Sequence, residues 1–166
     1  WVGKAVGHVG HEIHEQVEVV VTAEAKAISE ADRVIFPGVG AIRDCMAEIL
    51  RLDVDQIVKD AIQSKPVLAI CVGMQASMNS IEENGGVDCL GFLDGEVRYF
   101  GDDLRDASGQ RLKVPHMGWN RVRQTRAHPM WRSIEDGARF YFVHSYFVEP
   151  ESLNEVVGET DYPEAF

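Results

Sequence analysis

The chain is short of cysteine, of basic residues and of long apolar runs, and each shortage removes a class of protein. Cys45, Cys71 and Cys89 are odd in number, widely spaced and form no C-x-x-C pair, which argues against a disulfide framework or a zinc site and for reduced thiols in a cytosolic compartment. No stretch approaches the roughly 20 apolar residues of a membrane span, and the amino end lacks the basic-then-apolar order of a secretion signal. Only 16 Lys and Arg stand against 27 Asp and Glu, a net charge of −11 with no local basic stripe, so the sequence does not read as a nucleic-acid binder. No linker or repeat divides the 166 residues, and residues 1–166 are expected to form one domain, burying roughly 68–70% of the unfolded surface at about this length. An initiator methionine is lacking as well. Trp1 opens in what reads as the middle of a helix, so the natural start is expected to lie upstream or to have been altered.

What is present alternates between apolar runs and helical periodicity, the pattern of an α/β sheet. Val17 to Val21 and Arg33 to Phe36 read as strands, with Ala23 to Ala31 a short crossover helix between them. Ile42, Cys45, Met46, Ile49 and Leu50 recur at helical spacing, and Val54, Ile57, Val58, Ala61 and Ile62 repeat it. Beyond Gly85-Gly86 the pieces shorten, to Glu96–Phe100, Arg121–Gln124 and Arg139–Val143, which predicts an antiparallel or mixed second half. Asp102 to Gln110, charged and glycine-flanked, reads as a surface hairpin or loop.

Two segments carry chemistry. Val67 to Ile70 after Pro66 reads as a strand buried on both faces, and Cys71-Val72-Gly73 follows at once with a helix behind it. This is the spacing of a nucleophile elbow, where a sharp turn lifts the thiol above the sheet edge and the next backbone N–H points at what it attacks; a buried cysteine at an ordinary turn has the same pattern. Phe36-Pro37-Gly38-Val39-Gly40 ends another strand, and its glycines can turn main-chain N–H groups outward beside a helix start near Ala41. Alone it reads first as a plain turn. In open α/β sheets, however, ligands collect at strand carboxyl ends, so the two loops are expected to face one cleft.

With FPGVGAIRDCM at 36–46, KPVLAICVGMQ at 65–75, EENGGVDCLGFLDGEV at 82–97, KVPHMGWN at 113–120 and RFYFVHSY at 139–146, the chain resembles the class I, triad-type glutamine amidotransferases. KVPHMGWN and FYFVHSY single out the family of amidotransferase subunits of imidazole glycerol phosphate synthase. The resemblance implies a mostly parallel sheet flanked by helices. It implies Cys71 as the nucleophile toward the glutamine side-chain amide, with the N–H groups of Val39 and Val72 as oxyanion donors and Gly38 and Gly40 shaping that loop. Gln75 and Glu83 would hold the polar head of glutamine, and Tyr141, Ser145 and Tyr146 would line the cleft, although a solvated role for Gln75 and Glu83 and a strand-core role for Tyr141 stay open. Trp119 and Asn120 would meet a (β/α)8-barrel cyclase or synthase subunit in a heterodimer, with Trp119 as core the alternative. Neither metal nor cofactor is implied.

Two departures accompany the resemblance. Ala69 stands two residues before the thiol, where the family has glycine. The family's first strand with its glycine turn, and the His-Pro-Glu segment that supplies its catalytic His and Glu, are expected outside residues 1–166; Tyr162-Pro163-Glu164 is not that motif. His144 reads as a hydrogen-bonded structural histidine, His128 as a turn residue, and the His8, His11, His14 cluster carries little metal weight, with Gly10 expected to interrupt its helix. The expected function is a glutaminase subunit passing ammonia to a synthase partner in histidine biosynthesis. A non-catalytic binding or regulatory module on the same scaffold, and an amidotransferase serving another synthase, are the alternatives.

Overall fold

A computed structural model describes residues 2–166; Trp1, read above as lying within a helix, falls outside them. The chain folds as two compact units, one ending at Met74 and the other spanning Gln75–Phe166.

The first unit contains α1 (Val2–Glu12), α2 (Ala25–Glu30), β1 (Val34–Gly38), α3 (Ile42–Arg51), α4 (Val54–Ser64) and β2 (Val67–Cys71), and α5 (Val72–Ala76) begins in it. β1 and β2 pair in parallel from Val34↔Val67 to Gly38↔Cys71. The helical spacing read at 42–50 and 54–62 is α3 and α4, which bury Ile42 and Met46 on one and Val58 and Ala61 on the other; Phe36 in β1 and Val72 at the start of α5 are buried as well. Lys65 closes the path from α4 to β2: its Nζ donates to the carbonyls of Ile28, Ser29 and Ala31 at 3.2, 2.5 and 2.6 Å, neutralising the orphan acceptors at the carboxyl end of α2.

The strand expected at Val17 to Val21 is not there. Residues 15–24 carry no ladder bonds, and Val21 is 92% exposed. A β-branched run supplies propensity, but a strand also needs a neighbour to satisfy its backbone. These valines lie instead along the small residues of α1, where a Cβ on Gly10 would stand 2.7 Å from Val17 Cγ2 and one on Gly3 would stand 3.2 Å from Val19 Cγ1. Gly10 therefore lies inside α1, buried, rather than interrupting it.

The second unit holds β3 (Ser80–Ile81), β4 (Val87–Asp88), β5 (Gly95–Tyr99), β6 (His116–Arg121), β7 (Arg123–Gln124), β8 (Arg139–His144), β9 (Tyr146–Pro150) and β10 (Gly158–Glu159). The order β4-β3-β5-β9 makes a mixed sheet with β3 and β5 parallel, while β6–β8 and β7–β10 are antiparallel pairs. The fold is α/β with a mixed second half, as expected, but among the described residues parallel pairing is confined to β1–β2 and β3–β5. Asp102 to Gln110 is the expected loop: the Asp106 carboxylate accepts from the N–H groups of Ser108 and Gln110, both at 2.9 Å, and an Arg105–Arg111 bridge closes it.

The helix expected after Cys71 is present and stops at Ala76. The backbone beyond it is taken up by the 89–95 loop, with Leu90 N–H donating to Ala76 O at 2.9 Å, Phe92 to Ser77 O at 2.9 Å and Gly91 to Met78 O at 2.8 Å. Those bonds replace the helical ladder and leave Ala76, Met78, Ile81 and Val97 buried together.

Candidate active site

Cys71 closes β2 with φ of +57° and an exposed side chain. A non-glycine residue in the left-handed region is held there against about 1–3 kcal/mol of local preference, so the surrounding packing must dictate it. Two glycines show how. A Cβ on buried Gly73 would overlap the Phe36 carbonyl oxygen and stand 2.9 Å from its carbon, while one on Gly38 would stand 2.7 Å from Gly73 N and 2.9 Å from Val72 Cβ. The end of β1 and the first turn of α5 thus touch backbone to backbone, and the chain can meet that approach only by turning sharply at Cys71. Ala69, the departure noted above, pairs in register with Phe36 inside an unbroken β2, so its methyl group is accommodated.

The same contact sets the 38–40 loop beside the elbow. Gly40 has φ of +91°, and the Val39 side chain is 83% exposed, packing against nothing that would orient its peptide. Cys45, one turn into α3, donates through its thiol to Val39 O at 3.0 Å. Helical spacing puts Cys45 on the apolar face of α3, and nothing in that pattern marks a bond to a carbonyl six residues back. Cys89 is no rival nucleophile, because burial, aided by the Asp88 charge, pushes its thiol up to about 11.

In the second unit the neighbouring carboxylates Glu82 and Glu83, alike by type, have different surroundings. Glu82 accepts from Tyr99 N–H at 2.7 Å and from Arg98 at 3.1 Å, and that backbone bond, then the arginine, hold its carboxyl below the usual range. Glu83, half-buried in the single 3-10 turn Glu83–Gly85, accepts from Asn84 Nδ2 at 3.2 Å. Tyr146 faces Tyr99 across β5–β9 with ring centroids 5.3 Å apart, and burial first, then the charges of Glu83 and Glu82, raise its hydroxyl. Ser145, half-buried beside it, accepts Phe100 N–H at 3.1 Å through its carbonyl. Gln75 is half-buried in α5, four residues after the thiol.

The remaining named residues lie on the β6–β8 pair. Trp119 and Tyr141 are register partners meeting edge to face at 5.4 Å, Trp119 63% exposed and Tyr141 exposed beside it, so neither is core. Met117 and Val143, the adjoining partners, extend the same outward apolar stripe. Asn120 turns the other way and donates through Nδ2 to Asp161 O at 2.8 Å. On that inner face His144 Nδ1 lies 2.8 Å from Tyr146 O, which only accepts, so Nδ1 carries the proton and Nε2 accepts from His116 Nδ1, 3.1 Å away. His116 is 2% exposed and stacks on Tyr162 at 3.9 Å. His144 is structural, as the sequence reading had it, and His128 accepts Met130 N–H at a turn. His8 pairs with Glu12 at 3.4 Å along α1.

Residues 2–162 match a known family model, glutamine amidotransferase class-I. The chain belongs to the class-I glutamine amidotransferases. Among curated members of known name, it is 55% identical over 161 residues to the imidazole glycerol phosphate synthase subunit HisH of Pseudomonas syringae, covering 97% of this chain and 73% of that one. The subunit of the same name from Acinetobacter baylyi is 51% identical over 160 residues, 96% of this chain and 72% of its own. That from Neisseria meningitidis serogroup B is 48% identical over 163 residues, 98% and 76%. The amidotransferase family assignment agrees with the resemblance read from the five sequence segments. No helix among the described residues is long and apolar enough to cross a membrane.

Proposed function

We propose that this chain is the glutaminase subunit of an imidazole glycerol phosphate synthase, hydrolysing glutamine to glutamate and supplying ammonia to a (β/α)8-barrel cyclase subunit in the cytoplasm. The observation that carries the reading is Cys71: exposed, held at φ +57° and bracketed by the Gly38–Gly40 loop. The thiolate attacks the side-chain amide carbon, the carbonyl electrons move to oxygen, and collapse expels ammonia to leave a glutamyl thioester that water hydrolyses. The N–H groups of Val39 and Val72 are the donors for the oxyanion. Losing one such donor costs about 2.7–4 kcal/mol of transition-state stabilisation, so the backbone at 38–40 contributes on the scale of a reacting side chain.

Glu83 is the acceptor for the substrate ammonium group and Gln75 a donor to its carboxylate end, with Ser145 and Tyr146 as further lining residues. The difference between the two carboxylates supports this assignment, since Glu82 is committed to Arg98 and the Tyr99 N–H. Trp119 is the anchor for the cyclase subunit, as an exposed aromatic on a two-stranded sheet suits the centre of an interface, and Tyr141, its register partner, keeps the role of a cleft-lining residue. Asn120 belongs to the same segment but steadies it from within. His116 and His144 are not assigned as the base, because they are committed to each other and to Tyr146.

The test is glutamate production from glutamine by the full-length protein with its cyclase subunit. Turnover lost in Cys71→Ala and retained in Cys89→Ala is expected. Turnover surviving Cys71→Ala would overturn the assignment, and a chain that binds the cyclase while Cys71 stays unlabelled by a glutamine-mimicking diazo ketone would be a binding module instead.

A further inference from the structure

We propose that Cys45 is a positioning residue for the oxyanion donor at Val39. The inference rests on the glutaminase reading and deepens it.

Three restraints act on the chain between β1 and α3. The ladder to β2 ends at Gly38, opposite Cys71. Beyond it, Ala41 O accepts Cys45 N–H at 3.1 Å, and Val39 O accepts the Cys45 thiol at 3.0 Å. One residue therefore grips two carbonyls, two residues apart, on either side of Gly40. Nothing else on the loop can do so by side-chain packing, because Val39 points to solvent and Gly40, at φ +91°, has no side chain and a wide choice of backbone angles. Without the thiol, the Val39–Gly40 peptide is free to rotate about Val39 ψ and Gly40 φ. The Val39 φ that aims its N–H then loses its anchor on the carboxyl side, leaving only Gly38 to hold it.

The consequence is specific to steps that build negative charge on a carbonyl oxygen. Attack on an amide does so; alkylation of the same sulfur by iodoacetamide, a displacement at saturated carbon, does not. A neutral hydrogen bond contributes net about 0.5–1.5 kcal/mol, so losing it lowers kcat roughly two- to tenfold. Glutamine binding through Gln75 and Glu83 is untouched, and KM stays level.

The experiment uses the full-length protein with its cyclase subunit, comparing parent, Cys45→Ala and Cys45→Ser. Expected is a fall in kcat for Cys45→Ala at constant KM, recovery to within about twofold in Cys45→Ser, whose hydroxyl donates to the same carbonyl, and an unchanged alkylation rate of the Cys71 peptide by mass spectrometry. Unchanged kcat in Cys45→Ala overturns the proposal. So does a loss that serine fails to restore, or one matched by slower Cys71 alkylation, since either marks a packing defect of α3. A parent complex that makes no glutamate would sink the glutaminase reading itself, before either cysteine variant is compared.

Discussion

Replacing Gly73 with alanine tests the claim that backbone contact between β1 and α5 creates the elbow. The added methyl group overlaps the Phe36 carbonyl oxygen and lies 2.9 Å from Phe36 C and 3.2 Å from Pro37 C. All three are backbone atoms, so no rotamer change relieves them, and β1 has to retreat by about 1 Å to restore ordinary contact. Overpacking of this kind costs about 1–3 kcal/mol. Alanine also gains up to about 1 kcal/mol over glycine in a helix, but α5 has only five residues, and the clash wins. The chemical effect is larger than the stability effect, because the retreat carries Gly38 and Val39 away from the thiol, and a misplacement of about 1 Å can cost on the order of 10²-fold in rate. Urea denaturation followed by far-UV circular dichroism reads the first quantity and glutamate release by the cyclase complex the second. Gly73→Ala with parental stability and parental kcat would show that the strand end and the elbow do not need their close approach.

The histidine pair predicts a pH effect. Burial first, then the neighbouring imidazole, lowers His116; burial, partly offset by the Tyr146 carbonyl, lowers His144. Facing them are Tyr162, Tyr146, Asn120 and the rings of Phe100, Phe142 and Phe166. Depressed values mean that the unfolded chain takes up protons first, so this contribution is complete above about pH 6.5 and is lost as pH falls below it. Urea midpoints should drop from pH 7.5 to pH 5 and do so less in His144→Gln; equal slopes would refute the neutral pair. Glu83→Gln should raise KM for glutamine by at least about tenfold with the fold intact, given about 1.5–3 kcal/mol for a charged hydrogen bond. Glu82→Gln should instead lower the melting temperature and leave KM level, and the reverse outcome would exchange their roles. Lys65→Met should destabilise the protein by about 1–3 kcal/mol by uncapping α2, measured by urea denaturation, and an unchanged midpoint would deny the cap.

What the sequence made legible were elements whose cause is local. The periodicities of α3 and α4, the apolar run of β2, and the glycine spacing at 38–40 and 73 fix their own geometry through side-chain pattern and backbone freedom, but the burial of β2 on both faces expected from that run is not found: none of its residues is buried and Leu68 is 39% exposed, because an apolar run cannot show what covers it. Val17–Val21 misled because pattern cannot show whether a neighbouring strand exists. The end of α5 at Ala76 was hidden for a similar reason, since its ladder is displaced by donors thirteen to fifteen residues further on, at Leu90 to Phe92. Glu82 and Glu83 could be told apart only once β5 brought Arg98 and the Tyr99 N–H to the first. Cys45 was placed on its helix face correctly, but a bond to a carbonyl six residues back leaves no trace in hydropathy.

Met117, Trp119, Tyr141 and Val143 form a greasy strip on a sheet of only two strands. Made without anything to cover it, such a chain should clump at modest concentration, and co-expression with its barrel counterpart should raise the recoverable yield.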